Sequence, residues 1–300
     1  MGTSRKLAGG SRGLAIMGDG IAGIDHVIIA VRDLERGRAA WTRLGFTLSP
    51  RGRHIGRGTG NYCIMFPSDY LELMGIVDAA DSVERLAAFL ERREGLMAAA
   101  FAPAGTAEEA RAALLHRGLH PSEPRPLARR TELPTETLMP RFSLIALPPE
   151  ETPGLDSFLC SHLTPELMRR PEWLVHPNGA QRLNAIHVLV DSTAPLLAAY
   201  DRLVGIVQVT TTDAVAAVHV GRQRIVFATP DDFRTMHPGL ELDSGFPLPG
   251  IAAIELGVER LGETADYLTR GGIAFARMPD GDLGIASSEA TGALVLLTEG

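Results

Sequence analysis

The amino-acid sequence predicts an α+β or α/β fold built from one unit that occurs four times. In each unit an apolar segment with strand periodicity precedes a helix, and the helix ends near a glycine before the next strand. A recurrence of this kind indicates a repeat array or a duplicated domain. The helix ends that carry it are Trp41–Phe46, Leu115–Leu119, Tyr200–Ile206 and Tyr267–Ile273.

The first unit begins with a strand over Gly23–Leu34, whose side chains alternate between two faces. His26 shares its face with apolar residues, so this strand carries one histidine in a buried setting. Such a histidine is either a hydrogen-bonded core residue or a ligand. Asp33 is predicted to cap the following helix, which runs from Leu34 to about Leu44 and stops at Gly45.

A segment rich in glycine and arginine follows, from Arg51 to Asn61. It is interpreted as a solvated turn region or as a mobile lid that touches an anion. Two strands joined by a hairpin loop come next, Tyr62–Phe66 and Tyr70–Ile76. Glu72 lies in the middle of the second strand, where a buried carboxylate is costly unless it is paired or binds a metal.

Composition restricts the class of protein. A net charge of −7 argues against a nucleic-acid-binding surface, and no apolar run reaches the length of a membrane span. Two cysteines make no disulfide framework and fit a reducing cytosol, which predicts a cytoplasmic protein. Residues 1–21 show no hydrophobic period and are predicted to be a disordered tail.

A strand with Asp25-His26-Val27 opens the first module and a strand with Tyr70-Leu71-Glu72-Leu73 closes it. This arrangement resembles the vicinal oxygen chelate superfamily, which includes glyoxalase I, extradiol dioxygenases and glyoxalase-like proteins. The resemblance implies an α+β fold of four βαβββ modules forming two cupped mixed β-sheet pairs, with helices outside. Modules one and two would form a glyoxalase-like domain over residues 22–181, and modules three and four a second pair over 182–300.

The resemblance also implies that one divalent metal ion binds in the first cup, with His26 and Glu72 as ligands. His162, on the last strand of module two, stands near the position of a further ligand. Two histidines and one carboxylate suit Fe(II), and also Mn, Zn, Ni or Co. In the alternative interpretation, His162 caps the turn that follows it, and His176 or Glu166 takes the third position.

Aligning the helix-end glycines maps His26 onto Ala99, so the first strand of module two offers no ligand at that position. The second pair of modules is interpreted as degenerate, because its closing strands lack a carboxylate. His187 lies near the first-strand ligand position of module three, and Glu255 lies on the first strand of module four. A second site at His187 and Glu255 is the open alternative.

Residues near the expected metal are assigned to the substrate. His176 is the candidate general base, with bound water as the alternative. Cys160 is interpreted either as a small core residue or as a thiol of the pocket. The substrate-binding candidates are Asn61, Tyr70, Phe158, Cys160, Trp173 and Asn178.

An open divalent site polarises a carbonyl, gathers two vicinal oxygens and stabilises an enolate as it forms. The resemblance therefore implies a metal-dependent lyase, isomerase or ring-cleaving dioxygenase acting on a small metabolite with vicinal oxygens. The alternative is a non-catalytic protein that sequesters a small molecule in the same cup. Neither nucleic acid nor a membrane is an expected partner, and a homodimer remains open.

Overall fold

The computed structural model describes residues 20–205 and 208–300. It confirms the α+β fold, with a βαβββ order in modules one, three and four, one additional short strand in module two, and two mixed sheets with helices outside. Module one comprises β1 (Ile21–Ala30), α1 (Leu34–Arg43), β2 (Gly52–His54), β3 (Thr59–Met65) and β4 (Tyr70–Ile76). Helix α2 (Glu84–Arg92) then leads to module two, which comprises β5 (Gly95–Pro103), α3 (Ala107–His116), β6 (Arg125–Glu132), β7 (Thr137–Leu138), β8 (Arg141–Ala146) and β9 (Ser157–His162).

The second half repeats this order. Module three comprises β10 (Ala180–Leu189), α4 (Leu197–Val204), β11 (Val209–Thr211), β12 (Val215–Val220) and β13 (Gln223–Ala228). Helix α5 (Pro230–Met236) leads to module four, which comprises β14 (Gly250–Val258), α6 (Leu261–Arg270), β15 (Ala276–Arg277), β16 (Leu283–Ile285) and β17 (Leu294–Glu299). None of the helices within residues 20–205 and 208–300 has the length and apolar character needed to cross a membrane. Residues 1–19 of the predicted tail lie outside the described residues, and Ile21 already belongs to β1.

The first sheet closes on itself, whereas the second stays open. Strands of the first sheet follow the order β2-β3-β4-β1-β5-β9-β8-β6-β7, and an additional pairing between β2 and β6 joins the two sides. The second sheet has the order β11-β12-β13-β10-β14-β17-β16-β15, without a closing pair in the part of the chain that the structure describes. Only the N-terminal half therefore forms a closed cup.

Helix α1 forms where the sequence predicts it. The side chain of Asp33 accepts hydrogen bonds from the backbone N–H groups of Glu35 and Arg36, at 2.8 and 3.0 Å. These bonds satisfy two of the donors that every helix leaves free at its first turn. Trp41, fully buried on this helix, donates from Nε1 to Thr291 Oγ1 at 3.0 Å. The helix of module one is thus tied to module four.

The interpretation of Arg51–Asn61 as a solvated turn or a mobile lid is wrong for most of the segment. Gly52–His54 is strand β2, which pairs with β3 on one side and with β6 on the other. His54 is buried, and its partner across the β2–β6 pairing is Arg129. Glycine and arginine are poor strand formers, so local sequence preference does not reveal a strand that tertiary pairing imposes.

The two halves are joined by a buried polar contact. Gln223, on β13, accepts from the backbone N–H of Ile24 at 3.1 Å and donates to its carbonyl oxygen at 3.0 Å. The same amide lies 3.3 Å from the Asp69 carboxylate, which also accepts from the N–H of Leu183 at 2.9 Å. Burial raises the pKa of Asp69 to about 7, and the nearby Asp25 charge adds to the shift. These contacts fix β1 against the second sheet.

The first prediction concerns Gln223. Gln223→Ala removes both bonds to Ile24 and leaves a buried N–H and a buried C=O without partners. Because each such group costs about 1–3 kcal/mol, we expect the free energy of unfolding to fall by about 2–4 kcal/mol. Urea unfolding measures the loss, and Arg222→Ala at the neighbouring exposed position should change it by less than about 0.5 kcal/mol. Equal effects of the two substitutions would contradict this account of the junction.

The second prediction concerns the pH dependence of stability. The folded-state pKa of Asp69 is raised above its unfolded value, so ionising this group costs stability as the pH rises towards 7. Asp69→Asn removes that cost and keeps an oxygen that can accept from Leu183. We expect the variant to gain stability relative to the wild type between pH 4 and pH 7, and the difference to stay level above that. Urea midpoints at pH 5 and pH 8 test it, and a pH-independent difference would contradict it.

Candidate metal centre

A bulge in β1 brings the side chains of two consecutive residues, Asp25 and His26, next to each other. The register of β1 against β5 shifts between Ile24 and His26, so Asp25 is the extra residue of the bulge. Neighbouring strand residues normally point to opposite faces. Here the Asp25 carboxylate oxygen Oδ2 lies 2.7 Å from His26 Nδ1 and 3.0 Å from His162 Nε2. Asp25 received no role from the sequence, because period-two alternation places it on the other face.

Asp25 orients the ring of His26. The carboxylate oxygen accepts the hydrogen bond, so the ring proton belongs on Nδ1 and the Nε2 lone pair points away from Asp25. His26 Nε2 lies 3.5 Å from Glu72 Oε2, and the ring stacks on Tyr70 with centroids 4.4 Å apart. Proteins use this carboxylate–histidine arrangement to orient imidazoles that ligate metals.

His54 approaches Glu72 from the other side. Its Nε2 lies 3.5 Å from Glu72 Oε1, and its Nδ1 lies 2.8 Å from Thr59 Oγ1. Asn61 donates to the same Glu72 oxygen at 2.5 Å. Sequence reasoning placed His54 in a loop and missed it. Only the β2–β6 pairing, which no local pattern encodes, brings it into the cup.

The buried charges of the site stabilise one another. Burial alone would raise the pKa of Asp25, but the charges and hydrogen bonds of His162 and His26 outweigh it and hold that pKa well below its usual range. Burial likewise opposes ionisation of Glu72, yet His54, His26 and Asn61 lower its pKa. Burial lowers the pKa of His54 to about 4 against the attraction of Glu72, so this imidazole is neutral at pH 7.

Module two contributes a cysteine where module one contributes Glu72. Glu72 lies two residues beyond Tyr70, the β4 partner of His26. Cys160 lies two residues beyond Phe158, the β9 partner of Ala100. The glycine alignment mapped His26 onto Ala99, which belongs to the main core, whereas its neighbours Ala98 and Ala100 lie on the cup side, so that alignment does not match the face of His26. His162 lies two residues beyond Cys160.

The donor set fits a divalent cation. Two histidine nitrogens face the two oxygens of one buried carboxylate, and no arginine or lysine of the described residues lies within 4.0 Å of Glu72. Imidazole nitrogens and carboxylate oxygens are ligands that divalent ions accept, although the ligand atoms of His26, His54 and Glu72 are not among the described groups that lie within 4.8 Å of one another. One described group of three potential ligands, Asp25, His26 and Cys160, has its ligand atoms within 4.8 Å of one another. Asp25 already accepts from two imidazoles, which favours an orienting role for it.

A cavity of about 380 Å³ opens over these groups, within the roughly 300–1,000 Å³ common for ligand pockets. The structure brings together six of the ten residues that the sequence assigned to the site. The six that line the cavity are His26, Asn61, Tyr70, Glu72, Phe158 and Cys160. His54 and Arg129 line it as well. Burial raises the pKa of the Cys160 thiol well above its ordinary value.

The other four predicted residues do not belong to the described cavity wall. Both ring nitrogens of His176 are engaged by backbone, Nδ1 by the N–H of Thr47 at 3.0 Å and Nε2 by the Met65 carbonyl at 3.0 Å. Asn178 donates to the Leu44 carbonyl and accepts from the N–H of Ala180, both at 3.0 Å. Trp173 packs in the apolar cluster that contains Tyr70 and Cys160. The fourth, His162, contacts Asp25.

The second, open sheet carries fewer potential ligands at matching positions among its described residues. His187 Nε2 lies 3.7 Å from Glu255 Oε2, and Arg224 donates to both oxygens of Glu255 at 3.0 and 3.1 Å. Ala228 pairs with Leu189 in the place where Glu72 pairs with Ile28. The closing strand of module three thus lacks the carboxylate of module one. A second site at His187 and Glu255 stays a prediction.

Several solved structures share this fold. A hypothetical protein from Staphylococcus aureus matches with a TM-score of 0.63 and 10% identity, over 92% of this chain and 98% of that one. The 4-hydroxymandelate synthase of Streptomyces coelicolor, solved as a mutant, matches with a TM-score of 0.53 and 13% identity, over 92% of both chains. A xylose isomerase-like TIM barrel/4-hydroxyphenylpyruvate dioxygenase fusion protein matches with a TM-score of 0.51 and 12% identity, over 92% of this chain and 48% of that one.

Sequence comparison gives the family. No curated protein sequence matches the chain. A family model described as a glyoxalase-like domain matches residues 24–204, which include every strand of the closed cup from Ile24 onward. This match covers more than half of the chain and shows that the chain belongs to the glyoxalase-like domain family.

Proposed function

We propose that this protein is a divalent-metal-dependent enzyme that acts on a small metabolite with vicinal oxygens, by lyase, isomerase or ring-cleaving dioxygenase chemistry. One observation carries the proposal. The Nε2 atoms of His26 and His54 lie 3.5 Å from the two oxygens of Glu72, at the wall of a cavity large enough for a metabolite. A protein that only sequesters a ligand has no need of this costly buried arrangement.

In this proposal His26 and Glu72 hold the ion, as the resemblance implies, and His54 is the favoured third ligand. The first two come from module one strands β1 and β4, and His54 comes from β2. Cys160 is the module two donor nearest to His26, and His162 acts through Asp25. Fe(II), Mn, Zn, Ni and Co all accept imidazole and carboxylate ligands. The ion supplies Lewis acidity that polarises an oxygen of the substrate.

The protein contributes orientation and exclusion of water. Asp25 keeps the proton on His26 Nδ1, and Thr59 engages His54 Nδ1, so both rings present Nε2 to the cup. Asn61 holds Glu72 in place. His176 was the sequence candidate for the general base, but its two nitrogens are occupied by backbone. A substrate-bound water or a carboxylate of the cup is therefore the better-placed proton acceptor.

The third prediction is the metal content. The purified protein should contain a divalent ion in stoichiometric amount, and His26→Ala and Glu72→Ala should each lose it. Elemental analysis by mass spectrometry after gel filtration measures this, and His116→Ala, at an exposed position of α3, is the matched control that keeps the ion. Retention of the ion in both His26→Ala and Glu72→Ala would contradict the proposed metal site. Tight binding of a small molecule with no ion would favour the sequestering protein instead.

The fourth prediction concerns Asp25. Asp25→Asn keeps the shape of the side chain but removes a charge that orients two imidazoles. Substitution of such an orienting group weakens metal affinity by roughly 10- to 100-fold, so we expect a loss of this size without loss of the fold. Competition with a fluorescent chelator measures the affinity, and circular dichroism checks the fold. An unchanged affinity would show that Asp25 does not act on the metal ligands.

A further inference from the structure

Arg129 is a buried cation beside the metal candidates. It lies on β6, is 2% exposed, and pairs across the sheet with His54. Its side chain lines the same cavity as His26 and Glu72. Arginine is almost never buried without a partner, because removing a guanidinium from water is expensive. A buried arginine at a cavity wall therefore requires an explanation.

The protein supplies Arg129 with weak partners only. Its Nη1 donates to Cys63 Sγ at 2.9 Å and its Nη2 to Met168 Sδ at 2.7 Å, while Nε has no hydrogen-bond partner. Sulfur is a weak acceptor. Among the described residues no carboxylate oxygen lies within 4.0 Å of this guanidinium. Glu72 acts on it only at longer range.

Two buried polar side chains on the strand residues that pair with Gly52, beside Arg129, also have an atom without a hydrogen-bond partner. The buried atoms Asn61 Oδ1 and Thr131 Oγ1 make no hydrogen bond. Gly52 pairs with both residues across its two neighbouring strands, and a Cβ there would overlap Asn61 Oδ1 and lie 2.6 Å from Arg129 Cδ. The absence of a side chain at Gly52 thus permits Arg129 and Asn61 to approach each other.

The rest of the cavity wall combines positive charge with apolar surface. Arg57, Arg85 and Arg125 line it, against the two carboxylates Glu72 and Glu84. Its apolar walls include Leu127, Phe142, Leu144 and Phe158. Such a cavity suits a molecule with an anionic head and an apolar body. The planar fork of arginine binds carboxylates and phosphates through two parallel hydrogen bonds, and the planar carboxylate occupies the smaller volume.

On the basis of the function proposed above, we propose that the substrate is a carboxylic acid whose carboxylate binds Arg129 in the cup while its apolar body lies against Phe142 and Phe158. The carboxylate accepts hydrogen bonds from the guanidinium in place of its weak sulfur partners. The vicinal oxygens that chelate the ion belong to the same molecule. Arg129 then determines which metabolites enter the site, and it binds the substrate without taking part in bond cleavage.

Calorimetric titration of the protein, as purified and after chelator treatment, tests this proposal. The probes are phenylacetate and hexanoate, with phenylacetamide as the neutral isostere and benzylphosphonate as the tetrahedral anion. At least one acid should bind the wild type and the amide should not. Because Arg129→Met removes the hydrogen bonds between the guanidinium and the carboxylate, it should weaken acid binding by roughly 10- to 100-fold. Arg130→Met, at the exposed neighbour on β6 that pairs with Glu132, should leave it unchanged.

Three results would overturn the proposal: neither acid binds, the amide binds as well as the acid, or Arg129→Met retains full acid affinity. If benzylphosphonate bound more tightly than the acids, and its binding depended on Arg129, the ligand group at Arg129 would be a phosphonate or phosphate and not a carboxylate. Urea unfolding without ligand adds a second readout. Arg129→Met should be at least as stable as the wild type if the guanidinium awaits a ligand, and a marked loss of stability would show a structural role. Titration of the chelator-treated protein does not depend on a bound ion. It therefore tests carboxylate binding at Arg129 even if the proposed metal site is wrong.

Discussion

The pairing of β2 with β6 is the constraint on which the site depends. It closes the first sheet, and it sets His54 of module one opposite Arg129 of module two. Without it, both residues would lie on sheet edges open to water, where a histidine and an arginine have no reason to be buried. The second sheet has no closing pair among its described strands and carries mostly apolar side chains at the matching positions. Closure of the first sheet thus accounts for the burial of His54 and Arg129.

Hydrogen bonds account for most of the polar groups that stay buried in this cup. Asp25 lies within hydrogen-bond distance of His26 and His162, and Glu72 accepts a hydrogen bond from Asn61. Arg129 is the exception, because its direct partners are two sulfur atoms. A buried charge without a partner is far more costly than a paired one. This difference between Arg129 and the other buried charges is the observation from which the carboxylate proposal is argued.

The modules repeat one architecture, but the residues at the position of Glu72 differ between them. Register alone places Cys160 in module two where Glu72 stands in module one, and Ala228 takes that place in module three. Different side chains can occupy this position because main-chain hydrogen bonds, and the apolar core on the other face, hold the sheet together. The modules thus differ at cup-facing positions without loss of the architecture.

The sequence by itself determined the four modules, the helix capped by Asp33, the hairpin strands around Glu72 and the family, because strand periodicity, caps and helix-end glycines are local signals. It also placed His26, Glu72, Asn61, Tyr70, Phe158 and Cys160, which line the cavity. Tertiary structure alone decided the positions of Asp25, His54 and Arg129. A bulge shifts Asp25 to the face of His26, and a pairing between residues some 75 positions apart buries the other two. Non-local pairing of this kind leaves no periodic trace in the chain.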